Sequence, residues 1–337
     1  MESNQFLLND SITNAFDFDE RVVGGYGIYR NAINKLSYQI GLRAEKTFTT
    51  GFDHNSETEY INDYFSFFPS VYLTYDMGQE EEFILNYSRR INRPSWGQLA
   101  PFYNAQDLLN TRLGNPLLLP EFTDSYEAGY TKGWEKLLMS STIYHRRTTD
   151  AMTRVFSLLE NNAAVQFQEN ANFRHDTGLE MINQFQFASN LDLTLTGNFF
   201  YSEIDGTNIR ENFRNSNFTW TLNLLGSWAV PEVGTFQLMA DYRGPIVLPQ
   251  GEIDPIWGVN IGAKREILNN RATISLNVSD IFNTRIFRIQ TDDLEFSQMR
   301  MFNRETRIGT LTFTYRFGGF KSRDDGMKQE RFSDDPF

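Results

Sequence analysis

The segment R-I-G-T-L-T-F-T-Y-R-F (307–317) decides the fold class of this chain. Large apolar side chains and threonines alternate along it, so Leu311, Phe313 and Tyr315 share one face and the threonines share the other. An alternation of period two predicts a β-strand with one apolar and one polar face. In a soluble sandwich the apolar face would pack on a second sheet. In a membrane barrel it would contact lipid, and the threonines would face a water-filled interior.

The same alternation recurs along the chain, most clearly at 36–45, 64–75 and 191–202. Counting these segments predicts about 13–14 strands. Several reach roughly ten residues, whereas an ordinary globular strand has about five or six and a bilayer-crossing strand needs about 9–11. Aromatic residues such as Trp134 and Trp228 lie near the predicted turns, which is typical of the girdles at membrane interfaces.

The predicted connections alternate between short and long. The short ones lie near 30–35, 76–81, 131–136, 188–190, 230–234 and 267–271. The long ones lie near 49–63, 92–122, 148–171, 203–216, 244–255 and 282–305. Short turns on one rim and long loops on the other are typical of bacterial outer-membrane barrels. We therefore predict an all-β chain that forms a transmembrane antiparallel β-barrel in the outer membrane, rather than a soluble sandwich.

The composition of the chain excludes several kinds of partner and several structural features. The chain has 337 residues and a net charge of −12, which argues against a nucleic-acid partner. It contains no cysteine, so nothing in it predicts disulfides or thiolate metal sites. No apolar run reaches the roughly 18 residues of a transmembrane helix. The first residues, M-E-S-N-Q-F, lack the basic and apolar regions of a signal peptide.

The alternation of short and long connections also predicts on which rim of the barrel the chain begins. Single-chain bacterial barrels have an even number of strands and both termini in the periplasm. Here the last strand descends to the short-turn rim, and counting back places the N-terminus on the long-loop rim. We therefore expect upstream strands that are absent from this sequence. An overlooked strand within 1–20, or a second polypeptide that completes the barrel, would also explain the count.

Three motifs resemble the barrel of TonB-dependent outer-membrane receptors. They are R-R-I-N-R-P-S-W-G-Q-L-A-P-F (89–102), G-N-P-L-L-L-P-E-F-T-D-S-Y-E-A-G-Y (114–130) and N-V-S-D-I-F-N-T-R (277–285), followed by the terminal strand. The resemblance covers about 17–317. It implies a 22-stranded barrel that is filled by an N-terminal plug domain and that imports scarce, bulky nutrients with energy delivered by TonB.

The chain departs from that family in several places. It has no plug and no TonB box, and Leu119 stands where such receptors often carry a basic residue. We predict three parts: 1–20 as an extracellular loop or the remnant of a missing strand, 21–317 as the barrel portion, and 318–337 as a disordered periplasmic tail. Because this tail follows the last strand, we assign the barrel insertion signal to the strand itself, at Phe313, Tyr315 and Phe317.

Charged residues at the polar positions of the strands are predicted to face the barrel interior. In a receptor they would contact the plug or line the transport path, and the alternative is that they pair with one another inside a wet pore. These residues are Arg43, Glu45, Arg90, Glu180 and Arg316.

The longest loop holds the predicted substrate-binding residues, because large solutes are gripped by rigid aromatic faces and a few hydrogen-bonding groups. The alternative for these residues is packing between loops. The candidates are Trp96, Phe102, Tyr103, Asn104, Gln106 and Arg112. The fold does not set the cargo, so a siderophore, an oligosaccharide, a peptide and cobalamin all stay open.

The sequence gives little support for catalysis or for metal binding. His54, His145 and His175 are far apart in sequence and no hydrolase motif occurs, so we predict neither an enzyme nor a cofactor. His145 and His175 would meet only across a lumen. The acidic cluster 80–82 is expected to be solvated, and we predict no metal site. A divalent cation at Asp292, Asp293 and Glu295 is the alternative to that absence.

Three functions follow from these observations. The first is a TonB-dependent receptor whose partners are outer-membrane lipid, the plug with its upstream strands, and the TonB complex. The second is a structural or interaction barrel in an envelope complex without transport of its own, and the third is a passive porin. A surface lipoprotein or another envelope subunit is an additional candidate partner.

Overall fold

The computed structural model describes residues 14–102, 110–158, 164–292 and 296–317. Several predicted features lie outside the described residues: Tyr103, Asn104, Gln106, Asp293, Glu295 and the tail 318–337. The one helix in the described part is α1 (Trp96–Leu99). No helix there is long and apolar enough to cross a membrane.

Strands make up nearly all of the described chain. In order they are β1 (Phe16–Ile33), β2 (Leu36–Asp53), β3 (Thr58–Ile61), β4 (Tyr64–Gly78), β5 (Glu81–Asn92), β6 (Asn110–Arg112), β7 (Glu121–Trp134), β8 (Leu137–Leu158), β9 (Ala164–Ala188), β10 (Leu191–Asp205), β11 (Arg214–Val230), β12 (Gly234–Arg243), β13 (Ile246–Leu248), β14 (Gly251–Ile253), β15 (Ile256–Ile267), β16 (Ala272–Val278), β17 (Ile286–Asp292), β18 (Ser297–Asn303) and β19 (Gly309–Tyr315).

One meandering sheet dominates the fold. Its strand order is β1-β2-β4-β5-β7-β8-β9-β10-β11-β12-β15-β16-β19, and every neighbouring pair in this path is antiparallel. The short strand β3 pairs with β2, and β6 runs parallel to β9. The connections after β12 and β16 form a separate sheet in the order β13-β14-β17-β18. The path confirms the predicted strand count, and short and long connections alternate as predicted except between β8 and β9.

The short turns use left-handed backbone conformations. Asn34, between β1 and β2, has a φ of 55°. Three successive residues of the β15–β16 turn, Leu268, Asn269 and Asn270, have φ values of 54°, 54° and 65°. Asparagine tolerates this region better than most residues, whereas leucine does not.

The predicted loop at 148–171 is wrong, because β8 continues to Leu158 and β9 begins at Ala164. Their pairing persists from Ala151 opposite Ala171 to Leu158 opposite Ala164. Apolar residues such as Phe156 are buried in this extension. Side chains on both faces of this part of the hairpin are buried by other parts of the protein. The sequence here therefore lacks the alternation of apolar and polar residues that identifies a strand. Likewise β1 begins at Phe16, within the segment that the sequence assigns to a loop or remnant.

Register separates the main sheet into a polar and an apolar face. One row of directly paired residues, from β5 to β11, is entirely polar: Ser88, Ser125, Arg146, Asp176, Ser202 and Asn217. The opposite face carries the row Leu85, Ala128, Ile143, Leu179, Phe199 and Trp220. Since β-strand side chains alternate between faces, each row repeats along the sheet.

The apolar face is bare of protein. Ile143 is 63% exposed, Leu311 is 74% exposed and Phe313 is 62% exposed. A soluble sandwich would cover such residues with a second sheet, and no layer of the described residues covers them. Hydrocarbon is the environment that suits this face. The fold is therefore that of a transmembrane β-barrel wall, as predicted.

The two outer strands of the sheet are β1 and β19. Within the described residues each of them has one strand partner, β2 and β16 respectively. Lipid provides no hydrogen bonds, so an unpaired strand edge inside a bilayer costs several kcal/mol per group.

Candidate functional site

The polar face carries charged side chains that are held by ion pairs. The Arg43 guanidinium lies 3.3 Å from Glu45 and 4.5 Å from the ring centroid of Phe68. Further along the sheet, Arg146 lies 3.4 Å from Glu127. Interior arginines that face acids are neutralised by the wall itself, which leaves little charge for a ligand.

Arg93 anchors the longest loop to this face. Its Nη2 donates to Glu45 Oε2 at 2.8 Å and to Thr47 Oγ1 at 3.2 Å, and its Nε donates to the Tyr64 hydroxyl at 3.0 Å. Glu20 of β1 lies 3.9 Å away. One guanidinium therefore ties the loop to β1, β2 and β4, because its planar fork presents several donors in fixed directions.

The residues after Arg93 turn into the short helix α1. Ser95 and Gln98 form a capping box, in which the Ser95 backbone amide donates to the side-chain Oε1 of Gln98 at 2.8 Å. Both ends of a helix this short need external partners for their backbone groups. The Trp96 indole donates to the Phe16 carbonyl at 3.4 Å. The helix is thus fixed against the upper part of β1.

The second family-like motif (114–130) packs on the first (89–102). Gly114 packs so closely on the Ala100 backbone that a Cβ at this position would overlap it. Asn115 donates to the Gln168 carbonyl at 3.0 Å, and Asn170 bonds both backbone groups of Leu119 at 2.9 Å. An apolar cluster fills the contact: Phe16, Leu99, Ala100 and Leu118. The two family-like motifs therefore fold the long connection inward over the polar face.

A cavity of about 190 Å³ lies beneath this folded loop. Its walls come from the upper ends of β1 and β2 and from the segment 116–120. The lining is mainly apolar, with the side chains of Phe18, Tyr60 and Leu117 among it. An apolar cavity with a few hydroxyls at its rim suits a ring or an alkyl group more than a charged one.

The third motif is organised around Asp280, which is 1% exposed. Its carboxylate accepts hydrogen bonds from the Thr284 amide at 3.0 Å, the Arg285 amide at 3.2 Å and the Thr306 hydroxyl at 2.5 Å. Burial by itself raises the pKa of Asp280, but the hydrogen bonds from Thr306 and the two amides outweigh it and hold the pKa below its ordinary value. Asp280 therefore joins the start and the end of the connection between β16 and β19.

A second cavity, of about 310 Å³, lies on the polar face between β9 and β12. Arg174 and Arg243 line it from opposite sides, together with hydroxyl and amide side chains of β10 and β11. The residues Gly244, Ile246 and Val247, which follow β12, close it above. This cavity places two guanidinium groups beside hydroxyl and amide side chains.

The predicted substrate-binding residues that are described lie apart from this cavity. The Trp96 and Phe102 rings pack on each other with centroids 5.9 Å apart, and Phe102 packs against the apolar cluster of the loop. Trp96 is still 51% exposed. Arg112 is exposed on β6 and lies near Arg154. Their binding role stays a prediction.

Register places the predicted interior residues on the polar face. Arg43, Glu45 and Arg90 pair across the sheet with Phe68, Ser66 and Thr123, and Glu180 pairs with Thr142 and Asn198. Arg316 directly follows β19, and its amide donates to the Arg271 carbonyl at 2.9 Å. Phe313, Tyr315 and Phe317 lie at the exposed end of the apolar face. Plug contact and the insertion signal stay predictions for these residues.

His145 and His175 meet, although not across a lumen. Their rings stack with centroids 5.4 Å apart, and both residues lie on the apolar side of the sheet, where His145 pairs with Tyr126. His54 bonds Asp17 at 2.8 Å. No group of three metal-ligating side chains comes together among the described residues.

Sequence reasoning missed the roles of Arg93, Arg243 and Asp280. Each role depends on contacts between residues far apart in the chain, such as Arg93 with Glu45. Arg243 had one usable signal, because it occupies a polar strand position just before Gly244-Pro245. Such a sequence ends a strand and turns the chain sharply.

Comparison with known families agrees with this architecture. The sequence model of the outer membrane protein beta-barrel family matches residues 1–315, nearly the whole chain. The chain belongs to this family. Its location is therefore the outer membrane. Among curated proteins, no sequence matches this beta-barrel chain.

Solved structures similar to this family member are receptors and transporters. The ferric yersiniabactin uptake receptor FyuA from Yersinia pestis has a TM-score of 0.60 and 14% identity, covering 90% of this chain and 47% of that one. The siderophore receptor PiuA from Acinetobacter baumannii has a TM-score of 0.63 and 14% identity, with 89% and 44% covered. The copper transporter OprC has a TM-score of 0.62 and 12% identity, with 88% and 49% covered.

The extent of these matches limits what they establish. At such identities the likeness concerns the fold, and the chain spans less than half the length of each of the three proteins. This beta-barrel family member is thus similar to the barrel portion of TonB-dependent siderophore and metal receptors.

Proposed function

We propose that this chain forms the C-terminal part of the barrel of a TonB-dependent receptor that imports a bulky nutrient across the outer membrane. The observation that carries the proposal is the inward fold of the described parts of the long connection, 93–102 and 113–120, which Arg93 and the cluster around Leu99 fix to the polar face. A passive porin needs an open lumen, whereas a receptor needs a structured vestibule that holds its solute.

A further feature supports a plug and upstream strands as partners. The edges of β1 and β19 lack a second strand among the described residues, and lipid cannot satisfy them. Such edges are satisfied when further strands close the sheet, and a closed barrel of this kind has a lumen that a plug domain can fill.

The test is uptake by living cells. Deletion of the gene that encodes this chain should abolish growth when one scarce nutrient is limiting, and deletion of tonB should have the same effect for that nutrient. Restoring the gene should restore growth only when tonB is present. Growth that depends on the gene but not on tonB would contradict the proposal.

Liposome swelling separates the two rival functions. The purified protein should not let small sugars swell liposomes, because a receptor is closed in the absence of TonB. Swelling at porin-like rates would favour the passive pore. A structural barrel is favoured if deletion leaves the uptake of every tested nutrient unchanged but disperses a co-purifying envelope complex.

A further inference from the structure

The polar cavity between β9 and β12 has the chemistry of an anion site. We call it the Arg243 pocket. Its polar lining consists of Arg174, Asn198, Ser202, Asn217, Thr219, Thr221 and Arg243. No residue that lines it is acidic. The Arg243 guanidinium, with neutral donors around it, creates a positive potential that bulk water only partly screens. The charge of Arg174 is offset by Asp176 at 3.3 Å, so Arg174 contributes N–H donors more than charge.

Among the described residues Arg243 has no acidic partner, whereas several other interior arginines are ion-paired. Arg43 faces Glu45, Arg146 faces Glu127, and Arg285 is bonded to Asp241. Arg243 is exposed toward the cavity and makes no ion pair or side-chain hydrogen bond within the described residues. In a chain of net charge −12, an interior guanidinium left without an acid is a donor that is free to bind something else.

Arg174 supplies a second donor whose position is already fixed. Its Nη2 donates to Ser202 Oγ at 3.2 Å, and its Nε donates to Asp176 Oδ1 at 3.3 Å. A guanidinium carries five N–H groups, so these two bonds leave others for a ligand. The side chain is therefore oriented in advance, which reduces the entropy that binding has to overcome.

Gly244 builds the upper wall of the Arg243 pocket. Its amide donates to the Trp220 carbonyl at 2.8 Å. A Cβ on Gly244 would lie 2.5 Å from Thr219 Oγ1 and 2.9 Å from the Trp220 carbonyl oxygen, so only glycine permits this close approach. Beyond it, Val247 is 3% exposed and belongs to an apolar cluster with Ala151 and Ile204. The pocket is therefore a formed cavity with a packed roof.

We propose that the Arg243 pocket binds an oxyanion group, a carboxylate or a phosphate, of the imported solute. Guanidinium groups bind both anions through paired N–H donors, and hydroxyl and amide groups complete the shell. The cavity of about 310 Å³ holds one polyanionic group rather than a whole bulky nutrient. This inference rests on the proposed import function and narrows its substrate class to anionic solutes.

Direct binding tests the pocket independently of transport. The protein, purified in detergent from outer membranes as its organism produces it, is titrated calorimetrically with citrate, with inorganic phosphate and with neutral maltotriose. We expect one of the two anions to bind and maltotriose not to bind. The stronger of the two anions distinguishes a carboxylate from a phosphate group. Charge-assisted hydrogen bonds predict that Arg243→Gln weakens binding about tenfold or more.

Matched variants separate pocket chemistry from general charge. Arg265→Gln removes the same charge from an exposed position on the apolar face, since Arg265 pairs with Ile274. It should leave anion binding unchanged. Arg243→Lys keeps the charge and should retain part of the affinity. A folded-barrel gel shift for each variant shows that any loss of binding is not a loss of structure.

The outcomes distinguish this inference from the import proposal. If neither anion binds at millimolar concentration, or if folded Arg243→Gln binds as well as the unaltered protein, the pocket assignment is overturned. TonB-dependent uptake of a neutral nutrient in that case would leave the import proposal intact. Anion binding that needs Arg243, combined with no TonB-dependent uptake, would support the pocket and overturn the import function.

Discussion

Single side chains hold the extracellular connections in place, and Asp280 shows how. Its φ of 43° is left-handed, a region that Asp and Asn tolerate. Its carboxylate reaches Thr306, which is 26 residues away in the chain. The sequence motif around Asp280 is visible without a structure. The partners of its carboxylate are not, because a loop between two strands places them and no periodicity predicts it.

Asp280→Asn is expected to destabilise the barrel by about 1–3 kcal/mol, because the new amide puts a donor against groups that themselves donate. Asn keeps the size of the side chain and tolerates the same φ. The measurement is the unfolding temperature at pH 7. Samples are heated to increasing temperatures and then run on a denaturing gel without boiling, and the temperature at which the band of the folded form disappears is recorded. The Thr284 hydroxyl also donates to Asp280, at 3.1 Å, so Thr284→Val should give a smaller loss.

The pH dependence of Asp280 has a defined sign. Because the folded-state pKa of this carboxyl is depressed, its stabilising contribution is complete above the unfolded pKa of about 3.9 and disappears as the pH falls through the folded value. The difference in unfolding temperature between the unaltered protein and Asp280→Asn should therefore shrink between pH 7 and pH 3. An equal difference at both pH values would contradict this assignment.

Arg93 is the matching anchor of the longest loop. Arg93→Ala leaves Glu45, whose side chain is 12% exposed, without its closest donor. We expect a loss of about 1–3 kcal/mol and faster proteolytic cleavage within 93–120. Arg21→Ala is the control, because the Arg21–Asp19 pair is largely exposed and surface pairs contribute little. Equal proteolysis of both variants would show that Arg93 does not hold the loop.

At the scale of elements, strands were predictable wherever one face meets lipid and the other meets water. The segment 191–202 has this pattern and forms most of β10. The extension of β8 and β9 was not predictable. Ala151, Val155 and Phe156 are all buried along this part of β8, because the hairpin has protein on both sides. Apolar and polar residues alternate along a strand only when its two faces meet different environments. The pattern is absent where both faces meet protein.

The turn between β15 and β16 carries the clearest backbone strain among the short connections. Leu268 has a φ of 54° and is 60% exposed, so its side chain gains little from burial. A left-handed conformation costs a non-glycine residue about 1–2 kcal/mol, and Asn tolerates it better. Leu268→Asn should therefore raise the unfolding temperature, with a gain of about 0.5–1 kcal/mol. The reverse exchange, Asn269→Leu, should lower it by a similar amount; a decrease in both variants would contradict the argument.

For the whole molecule, composition and loop rhythm were enough to predict a sheet that crosses a membrane. They were not enough to predict the inward fold of 93–120, the small sheet β13-β14-β17-β18 or the Arg243 pocket. Those features depend on contacts between loops, where chain positions far apart come together without a repeating pattern. The candidate site is thus the part of the molecule that the sequence describes least, since Arg243 and Arg174 line a common cavity only in the folded sheet.

The orientation of the sheet in lipid allows a direct test of the fold. Ile143 lies six residues above the short turn that ends at Leu137, which is about 20 Å along the strand and close to the middle of the bilayer. Arginine on the lipid side at that depth costs about 2–4 kcal/mol. Ile143→Arg should therefore reduce barrel stability in urea by that amount. Thr142→Arg, one residue earlier, faces the interior opposite Glu180 and should cost less than about 1 kcal/mol. If the two variants lose the same stability, the apolar face does not lie in hydrocarbon.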